Sequence, residues 1–341
     1  MLVVPFILAF LSMLTLTVFF VGSNKHKRIS HSFRMVFIPA ILSISTSPQD
    51  GKPLDAWSYV EISKLKLVFL LVITSLGAMF VASIKTDIPL TLSQIVLGSL
   101  TAILGSAGCN VLTSYIDRDI DAIMDRTRKR PLPSKRIDPA SNALIFGIFL
   151  SGASIALAAF QNVLAFVFIL LGILDNVLVY SLLTKRRSSW NIILGSLSGG
   201  FAPLYGWVFV TGTIDITAFI LGCIVVLWVP SHIWSLALYY RSDYEKAGIP
   251  MLPVIVGTKT AIRCIAFTVI LMVVASFALY LYGGFGIIYL SVAVITGAVV
   301  LGAYLYLFLR PTQKLAWTLF KVSSPQLFLL FTAAVLDLYL A

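Results

Sequence analysis

Residues 93–134, SQIVLGSLTAILGSAGCNVLTSYIDRDIDAIMDRTRKRPLPS, begin as a long apolar segment and end in a dense cluster of charges. The apolar part exceeds the length of about 18 residues at which a segment can cross a bilayer as a helix. The charged part, Asn110 to Ser134, contains four aspartates and five lysines or arginines. The stretch therefore predicts a transmembrane helix that ends in a functional group of charges at the membrane edge.

Similar apolar segments recur along all 341 residues, of which 59% are hydrophobic and 11% charged, with a mean hydropathy of +0.98. Because every backbone polar group in lipid must be bonded internally, such a chain folds as a helical bundle. We predict helices over residues 2–22, 65–84, 93–116, 141–159, 162–182, 191–210, 215–238, 261–282, 284–309 and 324–340. The predicted fold class is an all-α, polytopic membrane helical bundle, with a nine-helix core and one extra N-terminal transmembrane helix.

The net charge of +11 is distributed unevenly across the predicted membrane. All 25 lysines and arginines except Lys85 fall in five segments that share one side if every helix crosses once. Cytoplasmic loops carry such an excess of cations. The pattern predicts a multi-pass protein of the cell membrane, or of the mitochondrial inner membrane in a eukaryote, and it argues against a nucleic-acid partner.

The N-terminal segment is predicted to be a retained anchor. Residues 1–22 are apolar, and their cations follow them, whereas a secretory signal carries its cations first. A cleaved leader is the alternative. Residues 43–57, SISTSPQDGKPLDAW, are polar and contain proline and glycine, as linkers do. We therefore predict an anchor and linker over residues 1–57 and a catalytic domain over residues 58–341.

Three polar side chains form a stripe at the end of the quoted apolar segment. Asp117 and Asp121 are about 40° apart around a helix, and Asn110 lies seven residues before Asp117 on nearly the same face. Two such carboxylates suit Mg²⁺, which prefers one or two carboxylates together with substrate phosphates. The arginines that follow, including Arg126 and Arg130, suit a diphosphate. For these cations a solvated loop is the alternative.

Two further clusters and one histidine attract attention. Lys185 and Arg186 end one apolar segment, and Asp243 and Lys246 follow another. His232 lies inside an apolar segment, where an ionisable side chain is by default a hypothesis of function. The alternative for His232 is a buried, hydrogen-bonded structural residue.

These blocks together resemble a known family. YIDRDIDAIMDRTRKRPLPS (115–134), Tyr180, Lys185 with Arg186, Asn191, GSLSGGFAPLYGW (195–207) and DYEKAGIPMLPVIVG (243–257) are similar to the motifs of UbiA-type intramembrane prenyltransferases. The Arg-Thr-x-x-Arg-Pro tail resembles the haem O synthase (protoheme IX farnesyltransferase) group within them. The resemblance covers Tyr59 to Ala341. One departure is Thr113, which stands where the family has asparagine, so Asn110 is expected to replace that side chain.

The resemblance implies an activity and a set of site residues. Farnesyl diphosphate and haem b would give haem o and diphosphate, with Mg²⁺ as cofactor and the lipid bilayer as solvent. It implies that Asp117, Asp121 and Asp243 bind the metal, and that His232 ligates haem iron or orients a proton transfer. The substrate-binding residues would be Asn110, Arg126, Arg130, Tyr180, Lys185, Arg186 and Lys246. Haem A synthase and terminal oxidase assembly proteins are the candidate protein partners.

Two other functions compete with this interpretation. A sister enzyme that prenylates a quinone precursor or an archaeal lipid would share the aspartates but not the Arg-Thr-x-x-Arg-Pro tail. A transporter would carry its polar residues on broken helices near the midplane. Here the charged clusters lie at one membrane face, which favours the enzyme.

Overall fold

The computed structural model of the chain describes residues 55–341, and this part is helical throughout, without β-strands. Its helices are α1 (Ala56–Ile62), α2 (Leu65–Thr86), α3 (Leu92–Ile116), α4 (Arg118–Ile123), α5 (Ser141–Gln161), α6 (Val163–Leu174), α7 (Asn191–Gly195), α8 (Leu197–Thr211), α9 (Ile216–Tyr239), α10 (Arg241–Lys246), α11 (Leu252–Val256), α12 (Thr258–Gly283), α13 (Ile287–Leu309) and α14 (Gln313–Leu340). A π-helix over Asp175–Thr184 continues α6. The predicted anchor over residues 2–22 lies outside the described residues.

Nine segments of the described chain are long and apolar enough to cross a membrane. They are α2, α3, α5, α6 with the π-helix, α7 with α8, α9, α12, α13 and α14. Each packs against the next in this order, and α14 returns to α2, so the nine segments close into a ring. This arrangement confirms the predicted polytopic helical bundle and its nine-helix core.

Most helix boundaries agree with the predicted ones because the polar caps are visible in the sequence. Thr91 and Gln94 form a capping box at the start of α3, and the side chains of Asn162 and Asp215 accept the bonds that begin α6 and α9. The prediction for α14 was wrong, since this helix begins at Gln313 rather than at residue 324.

The early start of α14 has a local cause. The Thr312 side chain accepts a hydrogen bond from the Leu315 N–H at 3.3 Å and caps the helix there. The helix continues through Pro325. Lys321 lies with its ammonium 5.6 Å from the centre of the Trp317 ring, so its charge does not interrupt the helix. Charge and proline were therefore poor markers of this boundary.

Small residues permit the closest helix contacts in the bundle. Gly206 of α8 lies against the backbone of Ser75 on α2, and a Cβ at this position would overlap the Ser75 carbonyl oxygen. Gly200 of α8 approaches the backbone of Gly222 on α9 in the same manner. Such contacts are common between helices in lipid, because burial of apolar surface contributes little to association there.

The outer surface of the ring is apolar. Large side chains such as Phe160, Ile145, Leu281 and Ile295 are well exposed on it. In a bilayer these side chains contact lipid, so their exposure agrees with a multi-pass integral membrane protein. The connections that carry the cations lie at one end of the ring, which we call the cation-rich face.

Candidate active site

The two central aspartates occupy the junction between α3 and α4 on the cation-rich face. Asp117 ends α3, donating its N–H to the Thr113 carbonyl at 2.9 Å, and the Asp121 N–H donates to the Asp117 carbonyl at 2.8 Å. These bonds keep both residues on nearly continuous helical geometry, although Asp117 itself departs from it. Both carboxylates are buried, with 5% of Asp117 and 4% of Asp121 exposed. Buried carboxylates require partners.

Asp117 has one partner and one free oxygen. Its Oδ2 forms an ion pair with the Lys185 ammonium, whereas Oδ1 is buried and has no hydrogen-bond partner among the described residues. Loss of hydration disfavours the Lys185 ammonium, but the contacts with Tyr180 and Asp117 outweigh it and raise the pKa of Lys185. The lysine therefore stays charged. The orphaned oxygen of Asp117 is an open position for a cation.

Lys185 reaches this position because the π-helix ends there. The Lys185 N–H donates to the Tyr180 carbonyl at 2.8 Å, the five-residue step of a π-helix. At the other end of the π-helix, the buried Asp175 accepts a hydrogen bond from the Ser198 N–H of α8 at 2.8 Å. Asp175 is thus bound to a helix N-terminus and not to Lys185. Single-turn π-helices often occur at functional sites.

Asp121 is bound by the loop that follows α4. Arg130 Nη1 donates to Asp121 Oδ2 at 2.8 Å, and the Thr127 hydroxyl donates to the Asp121 carbonyl at 2.8 Å. The loop therefore folds back over its own aspartate. This explains why the arginines after Asp121 are part of the site rather than a solvated tail.

Asp243 joins the same group from α10. Its side chain is buried, and its Oδ2 accepts a hydrogen bond from the backbone N–H of Arg126 at 3.2 Å. The Arg126 guanidinium lies 5.1 Å from the centre of the Tyr240 ring and within 3.4 Å of the Tyr244 hydroxyl. Arg126 thus connects the α4 loop to α10. The two acidic blocks, far apart in sequence, meet at this residue.

Lys64 belongs to the site but was not among the predicted residues. It precedes α2 in a left-handed conformation, with φ 53°, and it lines a cavity of about 90 Å³ together with Ser114, Asp121 and Arg130. Loss of hydration and the nearby Arg130 lower the pKa of Lys64 to about 7. A sequence signal existed, since Lys64 stands at the edge of an apolar segment, as Asp117 does.

The outer predicted cations pair with exposed carboxylates. Arg186 binds Asp119 through two bonds of 2.6 Å, and Lys246 binds Asp125 at 3.1 Å. Partial burial disfavours ionisation of Asp119, but the hydrogen bonds from Arg186 outweigh it and hold the pKa of Asp119 below its usual range. Arg186 and Lys246 therefore form the rim of the site, outside the buried aspartates.

Asn110 and Tyr180 lie beside the buried group. The Asn110 amide donates to the Ser63 carbonyl at 3.2 Å, next to Lys64. The Tyr180 ring centre lies 5.4 Å from the Lys185 ammonium. Asn110 thus supports the turn that carries Lys64, and its predicted role as a metal ligand stays a prediction.

His232 lies in a different environment from the carboxylates. Its ring packs between Trp228 and Phe320, each with a centroid distance of 4.3 Å, and Nδ1 lies 2.7 Å from the Ser323 hydroxyl. In the part of the chain that the structure describes, its contacts are with α9 and α14 and none is with an aspartate of the site. The proposed catalytic role of His232 stays a prediction, and this geometry equally suits a structural residue.

The residues present fit Mg²⁺ together with a diphosphate. Residues 55–341 contain no group of three or more His, Cys, Asp or Glu side chains that alone could hold a metal ion. Mg²⁺ does not require such a cage, since it keeps several waters and binds through one or two carboxylates plus phosphate oxygens. The free oxygen of buried Asp117 supplies one such ligand.

Comparison with known proteins identifies the family. Residues 70–332 match the UbiA prenyltransferase family over most of the chain. The chain belongs to this family. The UbiA match includes α3, α4 and α10, and so it covers every aspartate of the site.

Curated UbiA relatives include protoheme IX farnesyltransferases. The protein of that name from Desulforudis audaxviator is 43% identical over 285 residues, which covers 84% of this chain and 89% of the relative. Protoheme IX farnesyltransferase 2 of Cenarchaeum symbiosum is also 43% identical, over 295 residues, with 82% and 94% covered. These similarities extend from α1 and α2 to the last helices.

Solved UbiA structures share the fold. A digeranylgeranylglyceryl phosphate synthase superimposes with a TM-score of 0.68 at 22% identity, covering 84% of this chain and 99% of that one. A UbiA homologue from Archaeoglobus fulgidus bound to DMAPP and Mg²⁺ gives a TM-score of 0.58 at 18% identity, covering 80% and 98%. At these identities the likeness establishes the architecture of the bundle.

Proposed function

We propose that the protein transfers the farnesyl group of farnesyl diphosphate to a vinyl group of haem b, giving haem o and diphosphate. The observation that carries this proposal is the buried Asp117 carboxylate, whose Oδ1 has no partner while Lys185 holds the other oxygen. An open anionic ligand among fixed cations fits a metal-bound diphosphate. The protoheme IX farnesyltransferase names of the relatives supply the acceptor.

The first step breaks the bond between C1 of the farnesyl chain and the diphosphate oxygen. The electron pair leaves with the diphosphate, and an allylic cation remains. Cations fixed before the reaction stabilise this developing negative charge without reorganisation. Lys64, Arg130 and Lys185 are such cations, and each lies at the cavity or ion pairs of Asp117 and Asp121. When bound, Mg²⁺ would neutralise charge on the diphosphate, held by Asp117, Asp121 and Asp243.

The second step forms the carbon–carbon bond. The terminal carbon of the haem vinyl group attacks C1 of the allylic cation, and the positive charge moves to the vinyl carbon next to the porphyrin. Water adds to that carbon and releases one proton, which leaves a hydroxyethylfarnesyl side chain. No oxidant or reductant is needed. The farnesyl tail is apolar, so the apolar walls of the bundle and the bilayer suit it equally well.

The rim cations suit the propionates of haem b, although a role toward the diphosphate is the alternative. Arg186 and Lys246 are more exposed than Lys185, as expected for groups that meet a substrate at the membrane surface. The predicted cell membrane location and the partners, haem A synthase and terminal oxidase assembly proteins, belong to this proposal. A protein that supplies haem o to an oxidase must release it to such proteins.

The test is expression of the chain in a bacterial strain that lacks haem O synthase. Haems extracted from its membranes are separated by chromatography. We expect haem o with the parent chain and only haem b with Asp117→Asn at matched protein levels. If both strains contain only haem b, while membranes prenylate a quinone precursor or an archaeal lipid in vitro, the haem acceptor is wrong and the UbiA chemistry stands.

A further inference from the structure

A second cavity opens on the cation-rich face, on the side of α10 away from the carboxylates. Its volume is about 170 Å³. Arg241 lines it, and Asp243 faces the α4 loop. The two residues are separated by about 200° around a helix axis, so their side chains leave α10 on different sides. The cavity walls come from α9, α10, α12, α13 and α14, and they include Arg241, Thr258, Ile262, Leu307, Thr312 and Gln313.

Arg241 has no anionic partner in the described part of the chain. Its one hydrogen bond there is a long contact of 3.4 Å from Nη1 to the Thr258 hydroxyl. Its Nε is buried and has no partner. Lys185, Arg130, Arg186 and Lys246 each hold a carboxylate instead. A buried donor without a partner is unusual in a folded protein and indicates an absent acceptor.

The elements around this cavity carry cations only. No aspartate or glutamate occurs between Thr258 and Leu336, and Lys259, Arg263, Arg310 and Lys314 flank the ends of α12, α13 and α14. Two long helices, α12 and α14, also begin at the cavity wall, with Thr258 and Gln313 as their first residues. Their N-termini add positive potential to that of Arg241. The missing acceptor is therefore an anion from outside the protein.

We propose that this cavity binds the phosphate of an anionic phospholipid from the leaflet on the cation-rich side. The volume accommodates a single phosphate group rather than a macrocycle. Arginine presents a planar fork that matches phosphate oxygens. The apolar wall residues Ile262 and Leu307 connect the cavity to the lipid-facing surfaces of α12 and α13, where acyl chains lie. Anionic lipids are attracted to basic clusters at this level of the membrane.

The test uses the full chain in detergent micelles with phosphatidylcholine, titrated with phosphatidylglycerol. Thermal unfolding is followed at each lipid ratio. We expect phosphatidylglycerol to raise Tm by about 5 °C, because a ligand that binds only the folded state stabilises it. Arg241→Gln should remove most of this rise, and Thr258→Val should remove part of it. Arg241→Lys, which keeps the charge but not the fork, should fall between them.

Lys314→Gln is the matched control, because it removes one cation beside the cavity without changing its wall. Equal losses in Lys314→Gln and Arg241→Gln would show diffuse attraction and overturn the site. An unchanged rise in Arg241→Gln would do the same. A rise with inorganic phosphate alone, or with haem b but not with phosphatidylglycerol, would overturn the lipid assignment. If Arg241→Gln does not fold, Thr258→Val and Arg241→Lys decide the question by the same comparison.

Discussion

Replacement of Asp117 by asparagine removes one negative charge at almost constant side-chain volume. In the structure this charge has two roles, since Oδ2 pairs with Lys185 and Oδ1 is free to meet a cation. The neutral amide binds Mg²⁺ poorly and no longer supports charge on the leaving diphosphate. Electrostatic stabilisation of this type contributes about 2.7–4 kcal/mol per group. We therefore expect turnover to fall by at least about 10²-fold.

The same change also leaves Lys185 without its counter-charge. The Lys185 side chain is only 15% exposed, and an unpaired buried charge costs about 3–5 kcal/mol. A loss of activity could then come from unfolding alone. The double variant Asp117→Asn with Lys185→Gln removes both charges and should recover most of the lost Tm. It should not recover turnover, because both charges act on the diphosphate.

The assay measures haem o formed per milligram of protein in membranes with matched expression. Asp119→Asn is the control, since its carboxylate is 61% exposed and pairs with Arg186 at the rim. Exposed pairs contribute about 0–1 kcal/mol, so this variant should lose less than about fivefold in turnover. Parent-like activity of Asp117→Asn would refute the reasoning, because the aspartate would then be only a capped helix end.

Three further predictions test other parts of the structure. Lys64→Gln should raise the KM for farnesyl diphosphate by about tenfold or more in steady-state kinetics, whereas Lys66→Gln, exposed on α2, should not; equal effects would exclude a specific role for Lys64. Asp337→Ala should lower the unfolding free energy by about 2–4 kcal/mol in thermal melts, because the Ile288 and Tyr289 N–H groups lose their acceptor; an unchanged Tm would contradict the cap. A cysteine at Lys129 should react only from the cytoplasm and one at Thr213 only from outside, and the reverse labelling would invert the membrane orientation.

The membrane fold was predictable from the sequence because its signals are local. Apolar length, the charge asymmetry and the caps at Thr91, Asn162 and Asp215 mark nearly every crossing. The start of α14 was missed because Pro325 and Lys321 resemble a boundary, while the cap at Thr312 defines it.

The site was predictable in its residue types but not in its pairings. Asp117 and Asp121 share a helical face by spacing alone. That Lys185 holds Asp117, or that the Arg126 backbone holds Asp243, depends on how distant helices meet. His232 shows the opposite limit, because its intramembrane position indicated chemistry while its neighbours, Trp228 and Phe320, are aromatic rings. Pairings of this type depend on tertiary packing, which spacing within one helix does not determine.

The π-helix makes the aim of Lys185 a matter of residue counting. Its 10 residues advance in wider turns than an α-helix does, and they absorb one additional residue before Lys185. Deleting a single residue between Asp175 and Thr184 would leave an apolar span that the insertion machinery accepts as before. It would nevertheless turn the lysine by about 100° away from Asp117. Hydropathy and catalytic register are therefore written independently in the same segment, and a one-codon deletion there would yield a protein that inserts normally and does no chemistry.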